Sequence, residues 1–72
     1  MPVINMEKTG KKIATLRKAK GMTVKEVSGI FGFSTVNAVY KWEAGKSLPT
    51  VDNLLGLAML FDTKIDDLLV RD

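Results

Sequence analysis

The chain has 72 residues, 46% of them hydrophobic, with eleven Lys or Arg against eight Asp or Glu and a formal charge of +3. That length suits one small domain, able to bury about 60% of the surface its unfolded form exposes. Cysteine and histidine are both absent, which excludes disulfides and thiolate metal sites and removes the commonest general base and transition-metal ligand. No apolar run approaches the roughly 18 residues of a membrane span, and MPVINMEKTGKK has no signal-peptide core, so a cytoplasmic location is expected.

The charge is unevenly spread. Residues 1–49 carry nine Lys or Arg against Glu7, Glu26 and Glu43, a balance of +6, whereas residues 50–72 carry Lys64 and Arg71 against five Asp, a balance of −3. Such polarity suits a molecule that turns one end to a polyanion, although ordinary solvated helix surface gives the same distribution.

In chain order, Met1 to Asn5 reads as a loose leader, with Pro2 fitting no regular element. Asn5 or Thr9 caps a first helix that runs to about Lys20, with Ile13, Leu16 and Ala19 inward and Lys11, Lys12, Lys18 and Lys20 outward. Gly10 weakens its first turn by up to about 1 kcal/mol relative to Ala, so fraying is expected there. Gly21 closes it. Thr23 and Glu26 have capping-box spacing and start a second helix near Val24. Val27, Ile30 and Phe31 recur along it, and Gly32 ends it. Ser34 or Thr35 caps a third helix over about residues 35–44. Along this helix Val36, Val39 and Trp42 point one way, while Asn37, Tyr40, Lys41 and Ala44 fall on the other side.

Gly45 to Pro49 then forms a turn with Leu48 as its hydrophobic plug. Thr50 caps a fourth helix, Val51 to Phe61, with Asp52 complementing the dipole at its start. Its core stripe is Val51, Leu54, Leu57, Ala58 and Phe61, and Leu55, Met59 and Leu60 widen it beyond what burial on one side needs. Thr63 and Asp66 cap a last short helix that folds Ile65, Leu68 and Leu69 back onto the core. No stretch alternates with period two, so five helices, no strand and a single domain over residues 1–72 are expected.

The pieces LRKAKGMT, GFS, KWEAGKSLP and LLGLAMLFDTKIDDLL, in that order between Ile13 and Leu69, resemble the helix-turn-helix of the Cro and cI phage-repressor family. The resemblance implies an all-α, five-helix, lambda-repressor-like DNA-binding domain with residues 22–45 as its motif core. It also implies a sequence-specific transcription regulator, most simply a repressor that occupies an operator and sets its third helix in the major groove. Double-stranded DNA is then the partner, bound by a homodimer on two half-sites, without cofactor, metal, membrane or small-molecule effector.

Asn can bond adenine N6 and N7 together, Lys can donate to guanine O6 and N7, and Val or Ala can pack on a thymine methyl. Asn37, Tyr40 and Lys41 are therefore the expected base readers, with Thr35, Val36 and Ala38 close to the groove. Phosphates are expected to meet Lys46, Ser34 and the backbone N–H groups of the helix beginning at Val24, with longer-range attraction from Lys12 and Lys18. The resemblance further implies an ion pair between Arg17 and Glu43 beneath the reading helix. Leu55, Met59 and Leu60, with Val70 at the tail, form the expected self-association patch.

Three positions depart from the family pattern. Val24 stands where a phosphate-touching glutamine is usual, GFSTVNAV holds one residue more than the phage repressors, and Ala44 replaces a common asparagine. Together they imply a weaker or differently placed footprint. The alternative class is a protein-interaction module or antitoxin-like adaptor that keeps the fold and holds a partner with its apolar or acidic C-terminal end. An enzyme is the weakest reading. There is no glycine-rich phosphate loop, and Asp66 and Asp67, adjacent in sequence, point apart on a helix.

Overall fold

Local signals fix where most of the helices begin. The computed structural model describes residues 3–72, in which α1 (Met6–Ala19), α2 (Val24–Ile30), α3 (Asn37–Glu43), α4 (Val51–Leu60) and α5 (Ile65–Leu68) follow one another. Asn5 caps α1 by accepting the Lys8 N–H at 2.8 Å. Thr23 and Glu26 close a reciprocal capping box on α2, at 3.0 Å from the Glu26 N–H to the Thr23 hydroxyl and 2.9 Å from the Thr23 N–H to the Glu26 carboxylate. Thr50 caps α4 through the Asn53 N–H.

Two starts differ from the sequence reading. The third helix begins at Asn37 rather than near residue 35, and its cap residue, Val36, offers no side-chain hydrogen bond. The Thr35 hydroxyl instead accepts the Asn37 N–H at 3.3 Å from within the preceding loop. The expected Thr63–Asp66 cap does not form either: Lys64 is the cap residue of α5 and makes no side-chain bond.

The ends of α2 and α3 share one device. Gly32 and Gly45 both have φ of +73°, the left-handed conformation that glycine adopts without penalty. At Gly45 the N–H bonds Trp42 O at 3.1 Å and the Lys46 N–H bonds Lys41 O at 3.0 Å, the paired pattern that satisfies the last carbonyls of a helix. The chain after α4 makes the same two bonds with Asp62 at φ +53°, a residue whose short polar side chain tolerates this region.

The core is built from Ile13 of α1, Val24 and Val27 of α2, Val39 and Trp42 of α3, Leu57, Ala58 and Phe61 around α4, and Leu68 of α5. Several residues read as inward lie elsewhere. Ile30 is 57% exposed, because at about 100° per residue it falls about 60° beyond Val27, off the arc that carries Val24, Val27, Ser28 and Phe31. Ala19 is exposed in the last turn of α1. Val51 is 76% exposed although it stands only about 20° around the helix from the buried Ala58, because as the first residue of α4 it lies two turns beyond the neighbours that cover Ala58. In the turn before α4 it is Pro49 that is buried, while Leu48 is exposed.

The start of the chain is tied down where a loose leader was expected. Ile4 pairs with Arg71 in an isolated antiparallel bridge. The Asn5 N–H bonds Val70 O at 2.7 Å, the Asp72 N–H bonds Val3 O at 3.1 Å, and the Asn5 amide donates to the Asp72 carboxylate at 2.7 Å. Thr9, fully buried, accepts the Val70 N–H at 2.9 Å and so fastens the tail to α1 instead of capping that helix. The expectation for Met1 and Pro2 lies outside the described residues.

Gly10 also has a role other than a weak first turn. It is buried against the C-terminal end of α3, and a Cβ there would collide with the Trp42 carbonyl oxygen and lie 2.6 Å from that of Glu43. Gly45 makes the matching approach from the other side, where a Cβ would sit 2.7 Å from Glu7 Cα. Backbone meets backbone at both points, so neither neighbour can swing aside.

Two predictions follow from this geometry. Gly10→Ala, although it installs the better helix former, is expected to lower stability by about 1–3 kcal/mol through overpacking. Gly29→Ala in α2 meets nothing within 4 Å and is expected to raise stability by up to about 1 kcal/mol. Urea unfolding of both variants checks the contrast, and a Gly10→Ala protein as stable as the parent would contradict the close approach. The second concerns acid. Bonds first from the Thr23 backbone and then from its hydroxyl hold the Glu26 carboxyl below its ordinary value of 4.5. Its contribution is therefore fully present above that value and disappears as pH falls through the lower folded one. Glu26→Gln is expected to flatten this part of the acid-unfolding profile, which circular dichroism across pH 2–6 would measure.

Candidate nucleic-acid interface

The third helix is short, and its two faces do different work. Val39 and Trp42 are buried, and Val36 and Ala38 are half-buried against the same core. Phe31, Phe33 and Trp42 form a triangle with ring centroids 5.6–5.9 Å apart, both rings meeting the indole edge-on. This aromatic knot lies under the connection from α2 to α3. Gly56 of α4 backs it from the far side, since a Cβ there would come within 2.6 Å of the Phe31 ring.

Asn37, Tyr40 and Lys41 sit at i, i+3 and i+4 of α3 and are all exposed, Tyr40 at 56%. That spacing stacks them on one face of the helix. Thr35 is exposed in the loop before the helix, beside the exposed Ser34. Lys46 is exposed just beyond the end of α3, its backbone held by the bond to Lys41 O. Val24 has a buried side chain at the start of α2. Lys12 and Lys18 are exposed on α1. Of the apolar patch, Leu55 and Met59 are exposed, whereas Leu60 and Val70 are half-buried, Leu60 packed against the core and Val70 held by its backbone bonds to Asn5 and Thr9.

Arg17 and Glu43 are brought together although 26 residues separate them. Arg17 Nε donates to Glu43 Oε2 at 2.7 Å and Nη2 donates to Oε1 at 3.1 Å, a two-pronged arrangement. The third nitrogen, Nη1, donates to Met22 O at 2.9 Å. One guanidinium thus joins α1, the entry to α2 and the last residue of α3. Each side chain is only 12% exposed. The hydrogen bond to Glu43 outweighs desolvation and holds the Arg17 guanidinium above its ordinary range, so it stays charged. The pair also offsets a local conflict, because a carboxylate at a helix C-terminus is repelled by the dipole.

Sequence reasoning missed two features next to this face. The buried approach of Gly10 to α3 had a signal, a glycine in mid-helix, whose meaning required the partner helix to be placed. Ser28 had none: it is 3% exposed, and its hydroxyl finds no hydrogen-bond partner among the described residues.

A short helix, a glycine-ended connection and a second helix held with a polar face outward define a helix-turn-helix protein. The helix-turn-helix family model matches residues 13–68, and the chain belongs to this family, in its Cro/cI-like branch. Solved structures agree on the lambda-repressor-like fold. The restriction-modification controller protein C.AhdI from Aeromonas hydrophila is similar with a TM-score of 0.76 and 27% identity, covering 88% of this chain and 94% of that one. The DNA-binding domain of BldD has a TM-score of 0.76 and 22% identity over 92% of this chain and 94% of its own. HppE in its apo form has a TM-score of 0.79 and 20% identity over 94% of this chain but 37% of that chain. Among curated proteins none matches by sequence. The chain is a non-enzymatic, DNA-binding transcription regulator with double-stranded DNA as its partner. No helix among the described residues is long and apolar enough to cross a membrane.

The Arg17 clamp yields a stability prediction. Arg17→Met leaves the Glu43 carboxylate half-buried and unpaired and is expected to cost about 3 kcal/mol, whereas Arg17→Met with Glu43→Leu should recover much of that loss. A double-mutant cycle in urea measures the coupling, and additive effects would show that the pair contributes nothing as a pair.

Proposed function

We propose that this regulator is a sequence-specific repressor that works in the cytoplasm and lays α3 in the major groove of its operator. Asn37, Tyr40 and Lys41 read base edges there. Thr35, from the loop, meets the groove at the point of entry, and the half-buried Val36 and Ala38 present what remains of their apolar surface to its wall. Ser34, Lys46 and the backbone N–H groups around Val24 meet the flanking phosphates, while Lys12 and Lys18 add longer-range attraction. A homodimer places two copies of α3 on half-sites about one helical turn apart, joined through Leu55 and Met59 with Leu60 and Val70 at the margin.

The observation that carries this reading is the division of labour on α3. Its apolar side chains are spent on the core and its last residue on the Arg17 clamp, so amide, phenol and ammonium groups are left on one free face.

DNA affinity is expected to fall steeply with added salt, by an amount set by the phosphates met. On a site selected from a random DNA pool, Asn37→Ala and Lys41→Ala should each cost about 1–3 kcal/mol and lose less on unrelated DNA. Full affinity and full preference in both variants would refute the assignment of the readers. Partner-protein binding with no DNA affinity at low salt would favour the adaptor reading instead. For the dimer, sedimentation should show association in the high micromolar range or on DNA, weakened by Met59→Glu, and a monomer under both conditions would remove it.

A further inference from the structure

Where α3 rests on α1, backbone makes the contact. A Cβ at Gly10 would lie 2.6 Å from the Glu43 carbonyl oxygen and 2.9 Å from its carbon, with the Trp42 carbonyl oxygen also in its path. Ordinary contact of a Cβ begins at 3.4 Å. One methyl group would therefore drive the end of α3 and the wall of α1 apart by about 0.8 Å, the difference between 3.4 and 2.6 Å. A flexible side chain could swing clear of such a collision. The last carbonyls of a helix cannot.

The two helices are not equally free to yield. α1 is gripped from a second side by the tail, through the bond from the Val70 N–H to the Thr9 hydroxyl at 2.9 Å and that from the Asn5 N–H to Val70 O at 2.7 Å. Ile13, one turn beyond Gly10, is 1% exposed and holds the same helix in the core. α3, by contrast, starts without a side-chain cap after an irregular segment. Displacement therefore falls on α3. Tyr40 stands within one turn of Glu43 and moves with that end, whereas Asn37 lies about 9 Å away along the axis, at about 1.5 Å per residue.

We propose that Gly10 is a positioning residue for DNA reading: by lacking a side chain it seats α3 at the depth where Tyr40 meets a base edge, and so governs preference among sequences rather than attraction to DNA in general. Recognition groups work only within about 0.5 Å of their productive geometry, and the displacement that a methyl group imposes exceeds that tolerance. Tyr40 is a rigid side chain and cannot bend to follow. Attraction to phosphates is long-ranged and indifferent to sequence, and survives such a shift. The same movement stretches the Arg17–Glu43 bonds from their present 2.7 and 3.1 Å, so the clamp cannot pull the helix back. The proposal rests on α3 being the reading helix.

The test compares affinity for the selected operator with affinity for unrelated DNA in the parent, in Gly10→Ala, and in Gly10→Ala with Gly29→Ala, at a temperature where amide spectra show folded protein. Gly29 faces open space, so its substitution serves only to offset lost stability. Operator affinity is expected to fall about tenfold in both variants, the loss of one base contact, while affinity for unrelated DNA changes by less than about twofold. Leu57→Val, a truncation of a fully buried side chain in α4, lowers stability without entering the contact between α1 and α3 and should keep the preference. Tyr40→Ala should cost much less operator affinity in the Gly10→Ala background than in the parent, whereas the cost of Asn37→Ala should be the same in both. An undiminished preference in Gly10→Ala, an equal loss in Leu57→Val, a Tyr40→Ala cost that does not depend on Gly10, or failure of both Gly10 variants to fold would each overturn the proposal. A parent that shows no preference among sequences would refute the reading of α3 itself, and this proposal with it.

Discussion

The constraint on which the rest of the molecule depends is the three-way junction at Arg17. Its nitrogens reach Glu43 at the end of α3 and the Met22 carbonyl at the entry to α2, so the mutual placement of three helices passes through one planar group. Lysine could not substitute, since an ammonium cannot hold a carboxylate by two parallel bonds and a carbonyl by a third in fixed directions. The surrounding core is small, and a polar junction of this kind adds direction to apolar packing that has little of its own.

The junction works because backbones are allowed to touch. Gly10 admits the carbonyl end of α3 against α1, and Gly45 turns the chain away immediately afterwards. Helix axes ordinarily stay 8–10 Å apart, at a distance set by the side chains at the contact. A glycine at the crossing removes that spacer and brings Glu43 within reach of Arg17. The aromatic knot of Phe31, Phe33 and Trp42 then fills the volume under the other end of the motif. The polar face of α3 is thus presented by a support fixed at both ends.

Much of this was legible in the sequence, and the reason is that helix termini are encoded locally. Asn5, the Thr23–Glu26 box, Thr50 and the glycines after α1, α2 and α3 each act within a few residues, and each marks a boundary that the structure has. Burial was less legible, because helical spacing gives an angular position but not the neighbour that covers it. Val51 carries the right side chain at an inward angle and still faces solvent, while Ile30 lies just past the edge of an arc whose limits only the packed neighbours set. The fold class and family were readable, whereas the start of α3 was not. Ser34 and Thr35 are good caps by type, yet the chain runs on to Asn37 in irregular conformation, and no local rule counts the residues a loop needs to cross from one helix to the next. Gly10 and Ser28 mark the same limit, since their roles are set by atoms more than twenty residues away or by the want of a partner.

The bridge between Ile4 and Arg71 has a consequence of a different kind. It sets the two ends of the described chain side by side and running in opposite directions. Any polypeptide appended at either end would leave the domain from the same small area, so two such appendages would be neighbours from their first residues. By the same proximity a short linker could join the ends into a ring, and new termini opened in an exposed turn would leave the helix arrangement undisturbed.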